Sequence, residues 1–112
     1  MTETVRPAPL FVDSFNLAQW LHERFHGHAE PLAAETARCG QHLLEALTLA
    51  LKQRRRDWHM DQADELLIRL RVQLRMAEAL GLLDEEQLYF ALDRADAIGR
   101  QLGGWLRAER GE

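Results

Sequence analysis

Cysteine is all but absent from this 112-residue chain. Cys39 stands alone, so no disulfide can close within the chain, and a single thiol suits a reducing compartment. Proline is scarce and early. Pro7, Pro9 and Pro31 are the three present, so nothing beyond Pro31 forbids a long helix. No basic segment leads into an apolar run, and no apolar run approaches the length of a membrane span. A soluble, cytoplasmic protein is expected. No stretch alternates apolar and polar long enough to be a strand, and no internal repeat or low-complexity segment is found. Lysine is nearly missing too: 13 of the 14 basic residues are arginine, which suits phosphate binding and equally reflects genomic base composition.

What is present is ordinary for one globular domain, with 46% hydrophobic and 29% charged residues. The net charge of −4 is uneven. Residues 1–56 hold seven basic and six acidic groups, and residues 57–112 hold seven basic and twelve acidic groups. The acidic second half argues against a broad nucleic-acid footprint there.

Apolar residues recur every three or four positions in four segments. Residues 1–12 read as a flexible tail, and 13–110 as the helical domain. Asp13 or Ser14 caps a first helix over residues 13–25, with Leu17, Ala18, Leu21 and Phe25 inward and Gly27 ending it. Pro31 suits the first turn of a second helix, residues 31–52, with Ala33, Ala37, Gly40, Leu44, Leu47 and Leu51 inward. Arg54-Arg55-Arg56-Asp57-Trp58 reads as a connection. The third helix spans residues 61–80, with Ala63, Leu66, Leu67, Leu70, Leu74 and Ala77 inward, and Gly81 ends it. Asp84 and Gln87 form a capping box for the fourth, flanked by a Leu83–Leu88 staple. Leu88, Leu92, Ala95, Ile98, Leu102 and Leu106 carry its stripe. Four amphipathic helices with short connections predict an all-α, antiparallel up-down four-helix bundle.

The fourth helix ends in Ile98-Gly99-Arg100-Gln101-Leu102-Gly103-Gly104-Trp105-Leu106. Glycine inside a helix costs roughly 0.5–1 kcal/mol relative to alanine. Gly99 and Gly103 share a face, so with Gly104 and Trp105 they predict a place where another helix backbone comes close.

Three groups bear on chemistry. His22-Glu23-Arg24-Phe25-His26 spells H-E-x-x-H, which on a helix sets two imidazoles on one face for zinc, with the glutamate as general base. His28 adds a third nitrogen nearby, but the context argues against a zinc hydrolase: a metzincin's glycine and third histidine stand further on, Gly27 is too close, nothing singles out Glu35 or Glu45 as a distant ligand, and there is no sheet. Solvated helix-surface histidines are the expectation, with no metal and no cofactor. Lys52, Arg54, Arg55 and Arg56 are the densest basic cluster, able to hold phosphates while Trp58 stacks on a base. The competing reading is a charged loop whose tryptophan folds onto the bundle. Arg71 and Arg75 share one helix face and Arg100 and Arg107 another; Glu78 and Asp96 lie near enough to pair with them. Gly40 directly after Cys39 marks close packing, and Cys39 reads as a buried structural thiol.

The third helix carries a second apolar stripe. Ile68, Val72, Met76 and Ala79 fall nearly opposite the core stripe, where a monomeric bundle is polar. Phe90, Ala97, Gly104 and Ala108 make a weaker one on the fourth helix. Together they predict an oligomer interface on the hairpin of helices three and four.

Leu70-Arg71, Leu74-Arg75-Met76-Ala77 and Leu80-Gly81-Leu82-Leu83, with the glycine-rich tail, resemble a known family. It is that of the bacterial four-helix-bundle proteins encoded in 23S rRNA intervening sequences, including the accessory variability determinants of diversity-generating retroelements. The resemblance covers residues 63–106; before that only the helical layout agrees. It implies a cyclic homo-oligomer, a homopentamer, and for the retroelement members binding to a reverse transcriptase and to nucleic acid through a basic surface. The expected function is therefore a non-enzymatic oligomeric module that binds RNA or DNA, or a reverse-transcriptase-like partner. Lys52, Arg54, Arg55 and Arg56 come first as contacts, then Arg71, Arg75, Arg100 and Arg107. The alternative is a purely structural oligomer that meets a protein partner.

Overall fold

The computed structural model describes residues 8–111, in which four α-helices and no strand are formed. They are α1 (Pro9–Phe25), α2 (Pro31–Leu51), α3 (Arg56–Ala79) and α4 (Glu85–Glu109). Each helix packs on two others, in the cycle α1–α2–α3–α4–α1. Among the described residues the backbones of α1 and α3, and of α2 and α4, do not come close, so these pairs lie diagonally across a four-helix bundle.

Two helices begin earlier than the sequence suggests. α1 starts at Pro9, not at residue 13 or 14. Proline supplies a helical φ and needs no donor at the first turn. Leu10 is fully buried and extends the stripe of Leu17, Leu21 and Phe25. Ser14 and Asp13 are not caps. The Ser14 hydroxyl donates to the Leu10 carbonyl at 2.8 Å, and Asp13 accepts from the Gln101 amide of α4 at 2.7 Å. The expected tail of residues 1–12 is thus helical from Pro9, and residues 1–7 lie outside the described residues.

α3 starts at Arg56 rather than residue 61, which absorbs Arg56 and Trp58 into the helix. Met60 explains the extension, because it is fully buried one turn before Ala63 and lengthens the core stripe. The connection shrinks to residues 52–55. Gln53 and Arg55 take positive φ there, 59° and 45°, to turn the chain in so few residues. In α2 the inward positions are Leu43 and Ala50, with Leu44 and Leu51 only half-buried.

Other ends form as the sequence predicts. Gly27 and Gly81 adopt φ of 78° and 79° after α1 and α3. Gln87 N–H donates to Asp84 Oδ1 at 2.7 Å, and Asp84 N–H to Gln87 Oε1 at 2.9 Å, completing the capping box. Leu83 and Leu88 are both buried beside it. Leucine dominates the core, and each such side chain contributes about 1.5–3 kcal/mol on burial.

Candidate interaction surfaces

The outer face of α3 is apolar. Ile68, Val72 and Met76 are 56%, 59% and 50% exposed, while Met60, Ala63, Leu67, Leu70, Leu74 and Ala77 are buried on the opposite side. Ala79 is exposed on the same outer face, and Leu80, the residue after the helix, is 54% exposed. Leu80 continues the four-residue spacing of the stripe and was missed because it stands at the turn, as the residue that caps the helix. Exposed Arg69 and Arg75 border the stripe on its two flanks, and Asp61 and Glu65 continue the face toward the helix start.

Phe90 does not join this face. Its ring packs on Trp20 of α1 at 5.2 Å, and the Arg94 guanidinium lies 5.4 Å from its centre. Ala97, on the flank that carries Gln101 toward α1, follows it. The fourth-helix stripe therefore belongs to the α1–α4 seam and does not extend the α3 face.

Within the chain the tail glycines face side chains, not another helix backbone. A Cβ at Gly99 would stand 2.9 Å from Arg71 Nη2 and 3.9 Å from Leu67 Cδ1. At Gly103 and Gly104 the nearest atoms belong to Arg107. Trp105 is half-buried with the Arg56 guanidinium 4.8 Å from its ring centre. The close helix approach is elsewhere, at Gly40, against Leu21 and Ala18 of α1.

The eight candidate cations divide by what already holds them. Arg56 ion-pairs with Glu109, donates to the Ala50 carbonyl at 3.1 Å and stacks on Trp105. It ties α2, α3 and α4 together and is withdrawn from the basic cluster. Arg71 reaches across Gly99 to Asp96, at 3.2 Å, so Asp96 serves Arg71 and not Arg100. Lys52, Arg54 and Arg55 are exposed at the α2–α3 turn and form none of the ion pairs among the described residues. The Arg55 guanidinium lies 4.6 Å above the half-exposed Trp58 ring. Arg75 and Arg100 are exposed on α3 and α4, and Arg107 is exposed in the last turn of α4, the end that meets Arg56 at the start of α3.

The H-E-x-x-H motif straddles a helix end. His26 follows the last turn of α1 with an extended backbone (φ −59°, ψ 129°), so it does not share a continuous helix face with His22. His22 Nε2 lies 3.0 Å from Gln41 Oε1, and Glu23 accepts from Gln19 at 3.0 Å. Both imidazoles and His28 line a shallow α1–α2 groove of about 340 Å³ with Arg38 and Gln41. Among the described residues no three histidine, cysteine, aspartate or glutamate side chains converge to hold a metal ion. Cys39 is buried, and its thiol donates to the Leu66 carbonyl at 3.4 Å. Burial pushes the thiol up to about 11, against a smaller opposing pull from Arg69.

No helix among the described residues is long and apolar enough to cross a membrane. Compared with family models, with curated proteins and with solved structures, the chain matches none of them.

Proposed function

We propose that the chain is a non-enzymatic, self-associating helical-bundle module of the cytoplasm. The outward apolar stripe of Ile68, Val72 and Met76 carries this reading, because a surface helix of a monomer is polar on that side. The helices run antiparallel, up-down-up-down. Asp13 near the start of α1 meets Gln101 near the end of α4, and Arg56 at the start of α3 meets Glu109 at the end of α4. The assembly is a cyclic homo-oligomer, and the resemblance to the intervening-sequence family makes a pentamer the leading stoichiometry. Light scattering tests it. The wild-type chain is expected to be oligomeric at micromolar concentration and Val72→Glu with Met76→Glu monomeric; a wild-type monomer, or an oligomer unaffected by the pair, sinks the reading.

A second reading is that the module carries nucleic acid or a reverse-transcriptase-like partner. The observation favouring it is the α2–α3 turn, where Lys52, Arg54 and Arg55 stand exposed beside Trp58. Phosphate contacts from such a cluster weaken steeply with salt. A gel-shift titration with single-stranded RNA at rising salt tests the nucleic-acid part, and absence of a shift at low salt removes it; a pull-down that returns no reverse-transcriptase-like protein removes the other.

A further inference from the structure

We propose that the groove between the end of α1 and the first half of α2 binds a small phosphate ester, its phosphate held by a rim of imidazoles and one guanidinium.

Three of the chain's five histidines meet in this groove. His22 comes from the last turn of α1, His26 and His28 from the turn that follows, and Arg38 and Gln41 from α2. The three imidazoles and Arg38 are exposed, while Phe25, Ala34 and Ala37 supply an apolar lining. At about 340 Å³ the groove has the scale of a small-molecule site.

Charge selects the ligand. No carboxylate lines the groove, in a chain whose net charge is −4. The acidic groups around it are committed or directed elsewhere. Glu23 accepts from Gln19, Glu30 from the Leu32 N–H, and Glu45 from Gln41. Glu35 lines the neighbouring α2–α3 groove, which Arg38 also borders. Asp84 and Glu86 lie with Trp20 and Arg24 on the α4 side of α1, where the Arg24 guanidinium is 5.7 Å from the Trp20 ring centre. Arg38 forms none of the ion pairs among the described residues. The rim therefore gathers donors and a fixed cation without a matching anion, and a phosphate dianion supplies one through charge-assisted hydrogen bonds.

His22 links this binding to protons. Gln41 spends its amide N–H on Glu45 at 3.3 Å, so its Oε1 is what faces His22 Nε2 at 3.0 Å, and that nitrogen carries a hydrogen. Nδ1 is left for a ligand, and it donates only when the ring is protonated. An anion in the groove thus draws a proton onto the imidazole, and histidine changes charge between about pH 5 and 8. A transition metal would need the opposite, a bare Nδ1 with further ligands converging on it. Among the described residues no such trio converges.

Phenyl phosphate is the probe, because it joins a dianionic head to an apolar body. Calorimetry should find one site per chain, and amide NMR shifts should be confined to residues 22–28 and 34–41. Arg38→Gln should weaken binding about tenfold, the loss of one charge-assisted contact. Arg94→Gln, which removes the same charge from α4, should not. Should Arg38→Gln fail to fold by circular dichroism, His26→Gln with His28→Gln takes its place. Inorganic sulfate keeps its charge near neutral pH, so it should bind more tightly at about pH 6 than at about pH 8. Absence of saturable shifts, a folded Arg38→Gln chain that binds like wild type, or sulfate binding indifferent to pH overturns the proposal. So does a groove that saturates with zinc chloride and takes phenyl phosphate only when zinc is present, which would make it a metal site.

Discussion

Leu21 occupies the space that a side chain on Gly40 would need. A Cβ at Gly40 would lie 2.5 Å from Leu21 Cδ1 and 3.6 Å from the Ala18 Cα. Leu21 is fully buried, so any movement of its side chain presses on other core residues. The intimate contact of α1 with α2 is thus set by one missing methyl group. Gly40→Ala gains helix propensity but overpacks the core, and overpacking costs about 1–3 kcal/mol. Urea denaturation should show a net loss of stability; a more stable variant would mean that the two helices separate freely.

Gly99 presents the opposite case. The atom that a Cβ there would meet is the guanidinium end of Arg71, on a flexible side chain whose ion pair with Asp96 is largely exposed. Such a pair contributes about 0–1 kcal/mol, and alanine recovers about 0.5–1 kcal/mol of helix propensity. Gly99→Ala is expected to leave stability unchanged or raise it slightly, measured in the same urea series. A loss as large as that of Gly40→Ala would contradict the geometry.

These two glycines mark how far the sequence could be read. Glycine announces that a side chain is unwelcome or unneeded, without saying which: the close packing expected at Gly40 is found against Leu21 and Ala18, while within the chain Gly99 meets the flexible end of Arg71. Periodicity located the four helices and most of the core because burial enforces it directly. It misplaced two helix starts. Pro9 and the triple arginine look like breakers, yet Leu10 and Met60 just beyond them fill the core. The outward position of Ile68, Val72 and Met76 was legible from the same wheel. The partners of Arg56 and Arg71 were not, since they lie 53 and 25 residues away in α4.

The capping box at the start of α4 predicts a specific loss. Asp84→Ala removes the acceptor for the Gln87 N–H and the aspartate's favourable charge at the helix N-terminus. About 1 kcal/mol of stability should disappear, seen as a lower urea midpoint with an unchanged slope. Asp84→Asn keeps an acceptor and should retain most of it.

Cys39 should be slow to react in the native protein. Its thiol is raised to about 11 by burial, so near neutral pH almost no thiolate forms. The ordinary thiol ionises near 9. Between 9 and 11 the unfolded chain therefore releases a proton that the folded one retains, and folding stability falls with rising pH across that window. Native maleimide labelling is expected to climb with pH toward 11, and that of the urea-unfolded chain to level off near 9. Coincident profiles would refute the burial effect.

Arg56 and its three basic neighbours should separate in their effects. Arg56→Ala breaks the ion pair with Glu109, the bond to the Ala50 carbonyl and the stacking on Trp105. Losses of this kind amount to about 1–2 kcal/mol, so the urea midpoint should drop. Because Arg56 is already engaged, single-stranded RNA affinity should change little. Replacing Lys52, Arg54 and Arg55 together by alanine should do the reverse. Stability should hold, while the dependence of log affinity on log salt should flatten by about 2 to 3 units, following the lost phosphate contacts. Should Arg56→Ala weaken RNA binding as much as the triple replacement while the fold persists, the division of the cluster into one structural and three contacting cations would be wrong.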